Sequence, residues 1–134
     1  MGAALIEDLR KRVEHAAASI TRCLQQLSQD DVWWRPHPSH NSVANVANLI
    51  HHVCGHLWQY VIAGVCVATA EEVDRCLSGL EPGQLLESRH IEGADQTTLP
   101  ALLSSVVHLR GHANQIRYIT RLRLGDTYEL APLR

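Results

Sequence analysis

Phenylalanine is absent from this chain of 134 residues, methionine occurs once, and tryptophan and tyrosine contribute three residues each. With 46% of the residues apolar, a core must then come mainly from Leu, Val, Ile and Ala, which favours helices packed on helices. No stretch approaches eighteen uninterrupted apolar residues, so no membrane-spanning helix is expected. The opening MGAALIEDLRKRVEH is charged within its first ten residues and has no apolar run of signal-peptide length, which points to a soluble cytoplasmic protein. Neither sign of charge dominates, with 12 basic and 14 acidic residues and a net charge of −2. The arginines are scattered and form no basic stripe, so neither nucleic acid nor membrane is an expected partner. The four cysteines, Cys23, Cys54, Cys66 and Cys76, form no C-x-x-C pair and are expected to be free buried thiols in apolar helical stretches. The length suits one domain over residues 1–134.

What is present is helical periodicity. Residues 3 to 27 set Leu5, Leu9, Val13, Ala16, Ile20, Cys23 and Leu27 on one stripe at spacings of three and four, predicting an amphipathic helix. It ends at SQDD, and the two prolines of VWWRPHPSHNS exclude a continuous helix there. A second helix is expected from about Val43 to Ala63, capped by Asn41 or Ser42. Its start carries the tandem VANVAN, which reads as a three-residue duplication. Placed mid-helix, such an insertion would turn one half by roughly 60° against the other; near the start, the loop absorbs it. A short third helix is expected over about 67–78, stopping at Gly79. LEPGQLLESRHIEGADQ reads as turn-rich, and a last helix begins after Thr97 or Thr98, takes Pro100 in its first turn and runs to Leu124 before Gly125. With no alternating strand pattern, the expected fold is all-α, an antiparallel four-helix bundle with a shortened third helix.

Nine histidines are many for this length. His108 and His112, four apart in the last helix, share a face and can both reach one cation. A third imidazole from a facing helix would complete a three-ligand site that keeps one position open. His52 and His56 are also four apart, and spacing does not choose between them, while His51 points about 100° away from His52 and is expected to be exposed. His15, His37, His40 and His90 lie on polar faces or in loops. Two half-buried, hydrogen-bonded histidines explain an H-x-x-x-H pair equally well. Ser104, Ser105, Gly111 and Ala113 keep the surroundings of the pair small. Gln115, three residues after His112, can orient a ligand or simply make a structural hydrogen bond.

Three separated motifs, LSQDDVWWRPHPSHNSVAN, NLIHHVCGHLWQYVIAGV and HLRGHANQIRYITRLRLGD, occur in that order. Over about residues 17 to 127 the chain resembles the DinB-like (damage-inducible) four-helix-bundle superfamily, in particular metal-binding members related to thiol-dependent S-transferases. The resemblance implies a divalent metal ion held by one histidine of the second helix and the H-x-x-x-H pair of the fourth. Matching NLIHHVCG to the family pattern puts the first ligand at His52, with Gly55 three residues on and Gln59 beyond. The pair falls on His108 and His112, where HANQI replaces the usual H-x-G-Q-I. His56 then sits beside the ligands, as a supporting residue or pocket wall. The family usually has a longer connection between the second and third helices than Gly64 to Ala68. That difference implies exposed apolar surface and a homodimer.

Three neutral imidazoles with a vacant position suit zinc, nickel or iron, and an ion so held lowers the pKa of a water or thiol. The resemblance therefore implies a metal-dependent enzyme that activates a low-molecular-weight thiol or water against a small-molecule substrate, an S-transferase or hydrolase type. The alternative is a non-catalytic bundle that binds a metal or small ligand, or a bis-histidine haem binder. No carboxylate is placed as an evident general base. Glu71, Glu72 and Asp74 read as a solvated face, Glu92 and Asp95 lie in the loop before the last helix, and Arg110 and Arg117 read as surface charge.

Overall fold

The computed structural model describes residues 1–37, 45–61, 70–91 and 93–129, and along 54–61, 70–72 and 91 it describes the backbone. Among the described residues there are four helices, α1 (Gly2–Gln26), α2 (Val46–Val61), α3 (Ala70–Ser78) and α4 (Thr98–Leu124), which make up most of them. Between α3 and α4 lie a 3-10 turn, Pro82–Leu86, and a two-stranded antiparallel hairpin, β1 (Ser88–Ile91) and β2 (Ala94–Thr97). No described helix is long and apolar enough to cross a membrane. The main core gathers Leu9, Val13 and Ala16 of α1, Val53 of α2, Val73 and Leu77 of α3, and Leu102, Val106, Leu109 and Ala113 of α4. A second cluster joins Cys23, Val46, Leu49, Ile116 and Ile119. So α4 packs along both α1 and α2, and α3 packs on α1 against the same core.

In α1 the stripe from Leu9 through Val13 and Ala16 to Cys23 is buried as expected. In its first turn Ile6 is buried where Leu5 was expected, and Leu5 packs at the core's edge. The helix start runs so close to the 3-10 turn that a Cβ on Gly2 would stand 2.6 Å from Pro82 Cβ. α1 ends as Leu27 turns extended, and Ser28 and Asp31 then cap each other's backbone: Ser28 Oγ and N donate to Asp31 Oδ2 at 2.6 and 3.1 Å, and Asp31 N donates to Ser28 Oγ at 3.2 Å.

The start of α2 corrects the sequence expectation. The cap is Asn45, whose Oδ1 accepts from Asn48 N–H at 2.8 Å, and the helix begins at Val46. A cap of this kind contributes about 1 kcal/mol. The second VAN of the tandem thus opens the helix, so the duplication does not rotate the residues that follow. The expected caps Asn41 and Ser42, and the connection Gly64 to Ala68, lie outside the described residues.

The hairpin is a second correction, because the region reads as turn-rich and no strand was expected in the chain. Two tetrapeptides pair in register from Ser88↔Thr97 to Ile91↔Ala94, and Gly93 takes φ 79° in the turn. Glu87 O accepts from both Thr98 N (2.9 Å) and Thr98 Oγ1 (3.0 Å), which ties the hairpin base to the first turn of α4. α4 starts and stops where its punctuation predicts, with Thr97 before it and Gly125 at φ 54° after it. Leu103, Val107, Tyr118 and Leu122 remain exposed along the outside of α4.

Two ion pairs tie elements distant in sequence. Arg10 holds Asp74 with two bonds, Nε to Oδ1 at 2.7 Å and Nη2 to Oδ2 at 3.0 Å, so Asp74 joins α3 to α1 and is not part of a freely solvated face. Arg123 donates to Asp31 Oδ1 at 2.5 Å and lies 5.5 Å over the Trp34 ring, fastening the end of α4 to the segment after α1. The Ser28 hydroxyl, then Arg123 and the Ser28 N–H, hold the Asp31 carboxyl down at about 2. An unfolded aspartate titrates near about 4, so this contribution is complete above that pH and is lost as pH falls toward 2. Urea midpoints measured across that window should fall more steeply for the wild type than for Asp31→Asn. Parallel acid limbs would contradict the assignment.

Candidate metal centre

The buried residues of α4 repeat at three and four, through Ala101, Ser105, Leu109, Ala113, Ile116 and Thr120. His108 and His112 each stand one residue before a buried member of that row, which turns both toward its flank and leaves them half-buried. Ser105 keeps this flank narrow by bonding its hydroxyl back to Ala101 O at 2.9 Å. In α2, His52 is likewise half-buried and precedes the buried Val53, while His51 is exposed. The three imidazoles therefore lie at the rim of the main core, where α2 meets α4.

His108 Nε2 is 3.2 Å from His52 Nε2 and 3.0 Å from His112 Nε2, and one nitrogen from each residue lies within 4.8 Å of the others. The rings are not stacked. His108 is tilted 56° to His52 and 81° to His112, and His52 and His112 meet at 86°. The rings meet at an angle and draw their Nε2 atoms together. Two imidazole nitrogens at about 2.0–2.1 Å from a tetrahedral zinc stand roughly 3.3 Å apart, so the donor set fits a single ion with little movement. Among the described residues no carboxylate or thiol joins the three within that reach. On the far side of His112, Nδ1 lies 2.6 Å from Gln115 Oε1.

The other candidates separate clearly. His15, His37 and His90 are exposed, and His90 Nδ1 pairs with Asp95 Oδ1 at 2.9 Å across the hairpin, which accounts for both residues. His40 and Glu92 lie outside the described residues, as do the side chains of His56, Gln59, Glu71 and Glu72. Arg110 is exposed and Arg117 half-buried. Ser104 and Gly111 are exposed, and Ala113 is buried. Cys23 is a free, buried thiol, and burial pushes its pKa up against the opposing effects of Thr120 and Arg117, which suits packing and not nucleophilic attack. Cys76 is free and half-buried; Cys66 and the side chain of Cys54 fall outside the described residues.

Sequence reasoning missed Asn45. Asn45 fixes where α2 begins, two turns before His52. Its signal was present as the polar residue just before a second VAN, but Asn41 and Ser42 offered rival caps. Comparison of the chain with protein-family models, with curated proteins and with solved structures finds no match.

Proposed function

We propose that this protein binds one divalent metal ion through His52, His108 and His112, on an antiparallel four-helix bundle of the DinB-like kind. One observation carries this reading: three Nε2 atoms from two helices converge, with His108 Nε2 within 3.2 Å of both others. Three polar groups at the edge of an apolar core could instead satisfy one another by hydrogen bonds. A hydrogen-bonded trio, however, has no need for three nitrogens of one type to face a single point. At 3.2 Å, His52 Nε2 and His108 Nε2 stand too close for a porphyrin to lie between them, which speaks for a small ion and against haem.

Such an ion, when bound, supplies Lewis acidity that lowers the pKa of a water or thiol at its open position. The activity proposed is transfer of a small thiol, or of water, to an electrophilic substrate in the cytoplasm. Lack of a carboxylate among the described residues beside the three histidines favours a second reading, a metal-binding module without turnover. The two are separated by following glutathione, and other low-molecular-weight thiols, with chlorodinitrobenzene. Turnover that stops with a chelator and returns with added metal is expected for the enzyme. Equal rates with and without chelator would remove it.

A further inference from the structure

Gln115 lies on the exposed side of α4, where packing gives a glutamine no reason to be held. Its Oε1 is nevertheless 2.6 Å from His112 Nδ1, one turn back along the helix. An amide oxygen only accepts, so this contact requires the proton of His112 to sit on Nδ1. A neutral imidazole carries a single N–H, which leaves the Nε2 lone pair bare and directed at His108 Nε2, 3.0 Å away. In water a neutral histidine favours the opposite tautomer, with Nε2 protonated and unable to ligate.

We infer that Gln115 is the positioning residue of the site: it holds His112 in the one tautomer and ring orientation in which Nε2 can join His52 and His108 on a cation. The inference rests on the metal-binding reading but makes a claim of its own about the metal-free chain. Supporting groups of this kind change metal affinity by about 10–100-fold. The contact between His112 and Gln115 lies toward solvent, where water competes for Nδ1.

The test compares the full chain with Gln115→Leu, which removes the acceptor at similar size, and Gln115→Glu, which keeps it. At this exposed position neither change threatens folding. Long-range ¹⁵N NMR of the metal-free protein should show the His112 proton on Nδ1 in the wild type and in Gln115→Glu, and on Nε2 in Gln115→Leu. Zinc affinity, measured by competition with a chromophoric chelator, should fall about 10–100-fold in Gln115→Leu and recover to within a few-fold in Gln115→Glu. A wild-type proton on Nε2, an unchanged tautomer in Gln115→Leu, or a Gln115→Leu zinc affinity equal to wild type would each overturn the role given to Gln115. Failure of the wild type to bind zinc would overturn the metal reading instead, and the tautomer comparison would still decide the part played by Gln115.

Discussion

Replacing His108 by alanine should abolish stoichiometric metal binding while leaving the fold intact. Its Nε2 is the only one of the three with a close contact to each of the others, so its loss leaves two nitrogens with nothing between them. The drop in affinity should exceed the roughly 100-fold upper range of supporting-residue changes, because a ligand itself is gone. Thermal stability gives an independent readout. Zinc at about 100 times its dissociation constant should stabilise the wild type by about 2.7 kcal/mol and the His108→Ala variant by almost nothing. His108 is only half-buried, so the metal-free proteins should melt at similar temperatures. An equal metal-dependent shift in both would place the ion elsewhere.

Leu9→Ala should produce the largest loss of stability of any single alanine substitution in α1. Leu9 is 1% exposed and lies in the cluster that joins α1 to Val73 and Leu77 of α3 and to Leu102 and Val106 of α4. Truncating a leucine so placed costs about 2–5 kcal/mol, from lost transfer energy and the cavity left behind. Native domains have only about 5–15 kcal/mol in total. Leu5→Ala, at the edge of the same cluster, should cost clearly less, and urea unfolding of the two variants makes the comparison. A cost below about 1 kcal/mol for Leu9→Ala would mean that α1 is not seated as described. The histidines come from α2 and α4, so the surviving folded fraction should keep its metal affinity.

The long helices were legible because punctuation and periodicity agreed. Thr97 and Gly125 bracket α4, and the α1 stripe has one continuous apolar row. Leu5 and Ile6 illustrate the limit: two adjacent apolar residues at the end of a stripe satisfy the pattern equally, and contact with neighbouring elements decides between them. The hairpin was invisible because SRHI and ADQT are short and largely polar, with no alternation, and what holds them is backbone register and the tie from Thr98 to Glu87. The bond between Asp74 and Arg10 spans 64 residues and leaves no local trace in sequence. At the site, helical spacing paired His108 with His112 and set His51 apart from His52. Choosing His52 over His56 needed the family resemblance, and bringing His52 within 3.2 Å of His108 depends on how α2 lies against α4, which spacing does not encode.

The most direct test of the metal centre is X-ray absorption at the zinc edge, on the untagged chain loaded with one equivalent of zinc and freed of excess metal. Three imidazole nitrogens at about 2.0–2.1 Å, plus one further oxygen or nitrogen scatterer, are expected. A first shell with fewer than three imidazoles, a sulfur scatterer, or zinc lost entirely on buffer exchange would contradict the assignment of His52, His108 and His112.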